Sequence, residues 1–566
     1  MALFTGLAAA FAAISSWTIS LGALGSFAIG NFLLRAAVQL GVSALAKAFA
    51  KSPGSSAEPF AIQGSVRTGG SVPRSFVVGP SLSAGSLVWH SEWGSVGHTP
   101  NAYYTQVIAL SDLPVAGLHR WFIEGRAVSL EDTGDEKGLA AVEYREGGKD
   151  YAWIKFHDGT QEAADTFLTG TVNSGAPRYY SPSRIGKGIA YAIVTFRRNT
   201  EMFTGFPRSK FVLNGVKLYD SSKDETQGGV GDQRWEDPAT WGGDGDELPA
   251  VQAYNLARGF SYDGQWFYGL QGLTAARLPA AHWISQIAKC RAPVEGEDGL
   301  EPLYRCAGEI TVNSEIGSAF EAILTACAGR MSEVGGVFKI YVGAPDAPVA
   351  HFTDEDIVSL APQTFTPFFG LSDTVNGVIA SYPSPDEGYV MRSTPPLYNA
   401  AFEAEDGGRR LMTDVQLSFV PYPAQAQRLL SGELSAARRA RRHTHTLPAK
   451  FRLIEPGDTV TWGSVRNGYS AKQFRVDGVI DLPNCDLIVD ITEVDPSDHG
   501  GWDHGADFVP VTPSPLLPVR PTAQGVVGFD PVAVDIQDMA GVAPRRGLLM
   551  PWHPDVDDVA GVLFDI

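Results

Sequence analysis

The stretch NSEIGSAFEAILTACAGRMSEVGGVFKIYVG, residues 313–343, combines a helical period with a strand. Ile316, Ala319, Phe320, Ile323, Leu324 and Cys327 recur at i, i+3, i+4, i+7, i+8 and i+11. That spacing predicts an amphipathic helix from Ser314 to Gly329, with Asn313 or Ser314 as its cap and one face on a core. Gly335-Gly336 then predicts a tight turn into a strand at Val337–Val342. Working outward, short alternating or apolar runs read as further strands: Ser86–Ser91, Tyr103–Leu110, His119–Glu124, Tyr191–Arg197, Phe211–Tyr219, Val375–Ala380, Thr413–Phe419, Thr459–Trp462, Gln473–Ile480 and Leu487–Val494. Only three more helices are expected: Pro249–Arg258, Pro279–Lys289, and Ala424–Arg442, whose terminal arginines would complement the helix dipole. The fold class expected is mainly β with a few helices, α+β.

With 566 residues the chain is long enough for several domains, and 44% hydrophobic content excludes global disorder. It carries 44 basic against 63 acidic side chains, a net charge of −19, which argues against nucleic-acid affinity through a basic surface. Gly 62 and Pro 37 suit a turn-rich β protein. Four cysteines, Cys290, Cys306, Cys327 and Cys485, stand far apart without a C-x-x-C pair. They read as buried small hydrophobes rather than a disulfide framework, a zinc ribbon or an iron–sulfur site.

From Ala2 to Leu34 no side chain is charged, a length that would allow a membrane span. No Lys or Arg precedes the run, unlike a secretory signal, and Gly22, Gly25 and Gly30 divide it. Together with Asn31–Lys51 it reads as an apolar helical segment, residues 1–52, buried in an assembly in preference to lipid.

The common signatures of hydrolases, metalloproteases and nucleotide-binding proteins are missing from the sequence, so no catalytic, cofactor or metal residue is assigned. Four clusters carry residue types that could do chemistry. His443-Thr-His445 puts two imidazoles on one strand face, a metal pair or, in the favoured reading, a solvated strand start. Asp244-Gly-Asp246-Glu247 reads as an acidic surface loop before a calcium site. Asp498-His499 and Asp503-His504 read as part of a flexible linker before a metal site. The run Arg438–Arg442 either touches DNA phosphates or, preferably, pairs with the acidic excess at an exposed helix end.

The order of elements between Trp235 and Val358 resembles the lambda-type tail tip attachment protein, or host specificity protein, the central hub of long flexible phage tails. The pieces are the Pro-led helix before FYGL, the helix ending at Cys290, Leu303-Tyr304-Arg305-Cys306, the helix reaching Cys327 and the Gly335-Gly336 turn. Phe60–Gly70, Leu118–Gly125, Pro367–Tyr382 and Gln425–Trp462 extend the likeness over roughly Pro59 to Asp495. Pro515–Ile566 looks like the start of a fibronectin type III-like module, with Trp552 in place of its core tryptophan and Val559–Phe564 as a following strand.

The resemblance implies a multidomain tail hub: 1–52 apolar helices, 59–235 β-rich hub domains, 236–360 an α+β insertion, 361–497 a β-rich domain, 498–514 a linker and 515–566 the partial module. It implies a homotrimer in the virion that closes the distal end of the tail. Implied partners are the distal tail protein, the tape measure protein, a tail fibre or receptor-binding protein, a host surface receptor, and phage DNA passing without specific binding. No enzyme activity and no cofactor follow from it. The alternatives are a tail-associated cell-envelope hydrolase and a membrane-anchored bacterial adhesin.

Overall fold

The computed structural model describes residues 66–511 apart from 68–71, 176, 200–201, 204, 298, 368–373 and 440, together with four short strands outside those bounds. The chain divides into two units, Met1–Val511 and Thr512–Ile566. In the apolar terminus the described residues are strand and not the expected helix: Thr18–Ser20 pairs antiparallel with Ser26–Ala28, Thr18 opposite Ala28. β-branched Thr18 and Ile19, with Gly22 and Gly25 between the strands, suit a hairpin better than a helix. The rest of that helical reading lies outside the described residues.

The first β region packs two sheets around one core. Its strands are β1 (Ser75–Val78), β2 (Pro80–Ser83), β3 (Ser86–Val96), β4 (Thr99–Ser111), β5 (Gly117–Ile123), β6 (Arg126–Val128), β7 (Leu130–Glu131), β8 (Leu139–Ala141), β9 (Ala152–His157), β10 (Ala190–Arg197) and β11 (Ser209–Asn214). A six-stranded sheet runs β3-β4-β10-β9-β8-β7 and a four-stranded one β2-β11-β5-β6. Between them Trp121, Phe211, Leu213, Ile108, Val194 and Ile154 are buried, the inward half of each strand's alternation. The outer face of the larger sheet buries Trp89, Trp93 and Tyr191 under the π-helical turn Phe167–Val172, which carried no sequence signal.

The central core gathers the helices. They are α1 (Pro249–Arg258), α2 (Ala280–Arg291) and, after strand β12 (Gly308–Thr311), α3 (Ile316–Thr325). α1 keeps its expected bounds, with Pro249 at the first turn and Gly259 closing it. α3 is shorter than expected because Ser314 does not cap it: its Oγ donates to Thr311 O at 2.5 Å and meets the Tyr268 hydroxyl at 3.1 Å. The far end tightens through Ala328 at φ +49°, and Gly329 N donates to Leu324 O at 2.7 Å. The face is as read: Ala319, Phe320, Ile323 and Leu324 are buried. β13 (Arg330–Val334) and β14 (Val337–Tyr341) follow, joined by Gly335-Gly336 at φ +58° and +81°, the two-residue turn that needs positive φ at both positions.

The third region is built from β15 (Ala350–Thr353), β16 (Thr364–Thr366), β17 (Gly377–Ser384), β18 (Met412–Gln416), α4 (Pro423–Ala437), β19 (Arg442–Leu447), β20 (Thr459–Ser464), β21 (Tyr469–Asp481) and β22 (Leu487–Glu493). Its six-stranded sheet runs β15-β20-β21-β22-β19-β16 and buries Phe352, Trp462, Phe474 and Val489. β17 and β18 pair in parallel. Strand pairing crosses the boundaries expected at 235 and 360: β1 pairs with β12 and β15 with β20.

The second unit has one described pair, Val532–Ile536 against Arg545–Leu549, antiparallel with Val532 opposite Leu549. Trp552 and residues 559–564 of the expected fibronectin-like module lie outside the described residues.

Candidate functional site

His443 and His445 occupy alternate positions of β19, so both imidazoles point to one face, as expected from their spacing. That face is interior, which corrects the solvated reading: exposures are 4% and 2%. His443 stacks on Phe365 at 4.3 Å and 9° and meets the edge of Trp462 at 4.8 Å. His445 lies 4.7 Å from Trp462 and 5.3 Å from His443, centroid to centroid. The rings are buried because β16 and β20 bring Phe365 and Trp462 across them, contacts far apart in sequence. His443 Nε2 pairs with the Tyr469 hydroxyl at 3.2 Å, whereas neither ring nitrogen of His445 has a hydrogen-bond partner among the described residues. Burial, then the neighbouring His445, Arg466 and Arg441, push His443 down to about 3. Burial and Arg466 push His445 down to about 4 against the opposing pull of Asp354. Both rings are neutral at pH 7 and serve as aromatic fillers.

The acidic loop is largely internal bracing. Asp244 is exposed and pairs with Lys223 and Arg291. Asp246 accepts from Leu218 N at 3.0 Å and Gly243 N at 3.2 Å, and Glu247 accepts from the Tyr422 hydroxyl at 3.0 Å. Burial raises Asp246 to about 6; those two backbone hydrogen bonds pull the other way, while nearby Asp220 and Glu247 add to the rise.

Cys290, Cys306 and Cys327 are fully buried free thiols in the central core, as expected. Burial raises Cys306 and Cys327 well above the ordinary thiol range, which leaves them unreactive. Cys485 departs from the expectation: it is exposed, at φ +70° in the turn between β21 and β22.

The basic run is a clasp. α4 ends at Ala437, five residues early, because the arginines are held sideways by carboxylates. Arg438 reaches both oxygens of Asp406 at 3.1 and 3.0 Å; Arg439 reaches both oxygens of Asp498 at 2.9 and 2.6 Å; Arg441 reaches Glu493 at 3.2 Å. Pairing with the acidic excess is thus the arrangement found.

The clasp also corrects the linker reading as far as residue 511. Pro496–His499 is a 3₁₀ turn against α4, where His499 Nδ1 would stand 3.1 Å from a Cβ at Gly432. Farther on, Gln427 exchanges two hydrogen bonds with the Val509 backbone at 2.7 and 2.9 Å. Asp503 caps the short helix His504–Asp507. Among the described residues no three His, Cys, Asp or Glu side chains stand together as metal ligands, and no helix is long and apolar enough to cross a membrane.

Residues 315–479 match the family model described as "Putative phage tail protein". This span is similar to a phage tail protein domain. It runs from α3 to near the end of β21, so it contains the Gly335-Gly336 hairpin, the histidine pair and the arginines of the clasp, while Glu493 and Asp498 lie beyond it. A solved chain described as "Virion of native gene transfer agent (GTA) particle" shares the fold at TM-score 0.51 and 16% identity, covering 88% of this chain and 98% of that one. The "43 kDa tail protein" of prophage MuSo2 from Shewanella oneidensis aligns over 75% of this chain and 95% of its own at 10% identity and TM-score 0.23, too low to argue from. No curated protein matches the chain. The match over residues 315–479 supports a protein of a phage-type tail, and the virion chain shows a shared fold.

Proposed function

We propose that the chain is the hub of a tail tip: a homotrimer that closes the distal end of the tail tube, forms the exit channel for DNA and anchors receptor-binding parts. The observation that carries this reading is the extent of the shared fold. A chain from a virion particle matches over 88% of this one and along 98% of its own length, and residues 315–479 match the phage tail family model. The order of hub-like elements from Pro59 to Asp495 supports the tip position. The net charge of −19 suits a channel wall that DNA must leave, since like charges disfavour adhesion. In this reading the apolar residues 1–52 pack against other hub subunits or the tape measure protein, the distal tail protein joins the ring from above, and the fibronectin-like end leads to the receptor-binding parts.

Native mass measurement of the purified chain, with class averages of the particle, tests the proposal. A mass of three copies and a three-fold density at the tail end are expected. A stable monomer, a six-fold ring or density along the tail shaft refutes it.

A further inference from the structure

The two outer faces of the first β region carry opposite charge. On the smaller sheet, alternation sends Arg120 and Phe122 of β5, and Lys210 and Val212 of β11, away from the core shared with the larger sheet; Lys210 stands opposite Phe122 and Val212 opposite Arg120. Phe122, Val212 and Leu82 are buried on that face with Tyr389, whereas Arg120 is exposed and Lys210 half-buried. Arg208, two positions before Lys210, pairs with Glu124 at 3.4 Å. Burial and the like charge of Arg208 lower Lys210 from the ordinary lysine range, and among the described residues no carboxylate pairs with Lys210 or with Arg120. A half-buried ammonium without a counter-charge leaves its desolvation cost uncompensated.

On the larger sheet the chain between β7 and β8 is acidic, with Glu131, Asp132, Asp135 and Glu136 in six residues. It lies on the outer side, since Glu136 accepts the Thr171 hydroxyl of the π-helical turn at 2.8 Å and Lys137 Nζ stands 4.8 Å over the Trp153 ring. Arg145 meets Glu131 at 2.6 Å and Lys137 meets Asp135 at 2.8 Å, while Asp132 and Glu136 are exposed and have no cation partner among the described residues. Free cations therefore stand on one side of the shared core and free carboxylates on the other. A two-fold contact would set each patch against its own copy, like charge on like. A head-to-tail contact sets cation on carboxylate and closes as a ring.

We propose that the Arg120–Lys210 face of one copy receives the Asp132–Glu136 loop of a second copy of this chain, the contact repeating head to tail around the ring. This rests on the homotrimer proposed above and adds where its subunits meet. DNA phosphates would answer the cations and leave the acidic loop unanswered, whereas a second copy answers both at once. The net charge of −19 points the same way, because every neighbouring copy brings a surplus of carboxylates to a face that lacks them. Charge contacts of this kind fix register and reject the like-charged arrangement.

The test uses the full chain. Native mass is measured for the parent, for Arg120→Glu with Lys210→Glu, for Asp132→Lys with Glu136→Lys, and for all four substitutions together. Each one-sided variant should weaken association about a hundredfold and release single copies, and the four together should restore the ring. Near-UV circular dichroism checks each fold; Asp132 and Glu136 are exposed, so their variant decides should Lys210→Glu not fold. A ring that persists in the folded one-sided variants, or a folded four-site variant that stays dissociated, overturns the contact and leaves the trimer standing. A ring of another number that breaks and recovers in this way keeps the contact and refutes the trimer, and a parent of single copies refutes both. Duplex DNA bound by the parent and lost in Arg120→Glu with Lys210→Glu, with the mass unchanged, gives the face to DNA and overturns the proposal.

Discussion

Acid should loosen the third region through its histidines, and the size of the effect follows from the geometry of β19. Both rings are neutral in the fold, with pKa values near 3 and 4, against about 6.5 for an unfolded histidine. A depressed folded value means that the unfolded chain takes up the protons first. The stabilisation is therefore complete above about pH 6.5 and is lost as pH falls from there toward 4 and then 3. pH 5 lies about 1.5 units below the unfolded value and above both folded ones, and at about 1.4 kcal/mol per unit this amounts to about 2 kcal/mol for each ring, or about 4 kcal/mol for the pair. Arg466 and Arg441 face the rings with the wrong charge for relief, and Asp354 opposes them only at His445 among the described residues. Because a chain of several cores will not unfold in one step, the measurement has to be local. Hydrogen exchange of peptides covering β19 and β20, corrected for intrinsic rates, should lose about 4 kcal/mol of protection between pH 7 and 5, while α1 changes far less. His445→Phe keeps an aromatic ring in a site that offers neither nitrogen a partner, so it should be neutral or stabilising at pH 7 and should roughly halve the acid sensitivity. The same pH dependence in the variant and the parent would refute the argument.

Three further outcomes are expected. Phe320→Ala, at a site 2% exposed, should cost about 3–5 kcal/mol as a cavity in the central core, whereas Glu321→Ala, at the half-buried next position of α3, should stay within about 0.5 kcal/mol; equal shifts in thermal unfolding would reject the buried face. Gly457→Ala forces a methyl to 2.1 Å from the Tyr341 ring at a left-handed φ, so it should open the joint between the hairpin and β21, seen as raised exchange of β13 and β14; unchanged exchange there would contradict it. Arg439→Ala leaves Asp498, 5% exposed, without its two hydrogen bonds, and limited proteolysis should then cut between 495 and 511 well before the parent; equal cutting times would show that the clasp does not hold this strap.

Which parts were legible from sequence follows from the range of the forces involved. The Phe320 face and the Gly335-Gly336 turn are decided by residues within one or two turns of each other, and the structure keeps both. The bounds of α3 and α4 moved because distant groups competed for the ends: Tyr268 for the Ser314 hydroxyl, and Asp406 and Asp498 for the arginines after Ala437. His443 and His445 look polar in a local reading next to four arginines, yet Phe365 and Trp462 arrive from strands 78 and 17 positions away from the partners they cover and turn the pair into core. Nothing adjacent to Arg330, the first residue of β13, marks it either, since its environment is made by β21 and the turn at Pro456-Gly457.

These long-range cases share a location. The histidine box and the half-buried Arg330 both belong to the six-stranded sheet of the third region or its junction with the central core, and the clasp fastens the strap that leaves that sheet at Glu493. A joint built from buried charge and aromatic contact has a mechanical consequence. Each pairing is worth far more when complete than when one partner is removed, so the junction holds as a unit and yields as a unit. Apolar packing alone would instead soften gradually with each lost contact. The strap is tied at both ends, by Arg439 just past α4 to Asp498 and by Gln427 of α4 to the Val509 backbone, so a pull on residue 511 loads the two Gln427 hydrogen bonds together and reaches the Arg439–Asp498 pair only after they part.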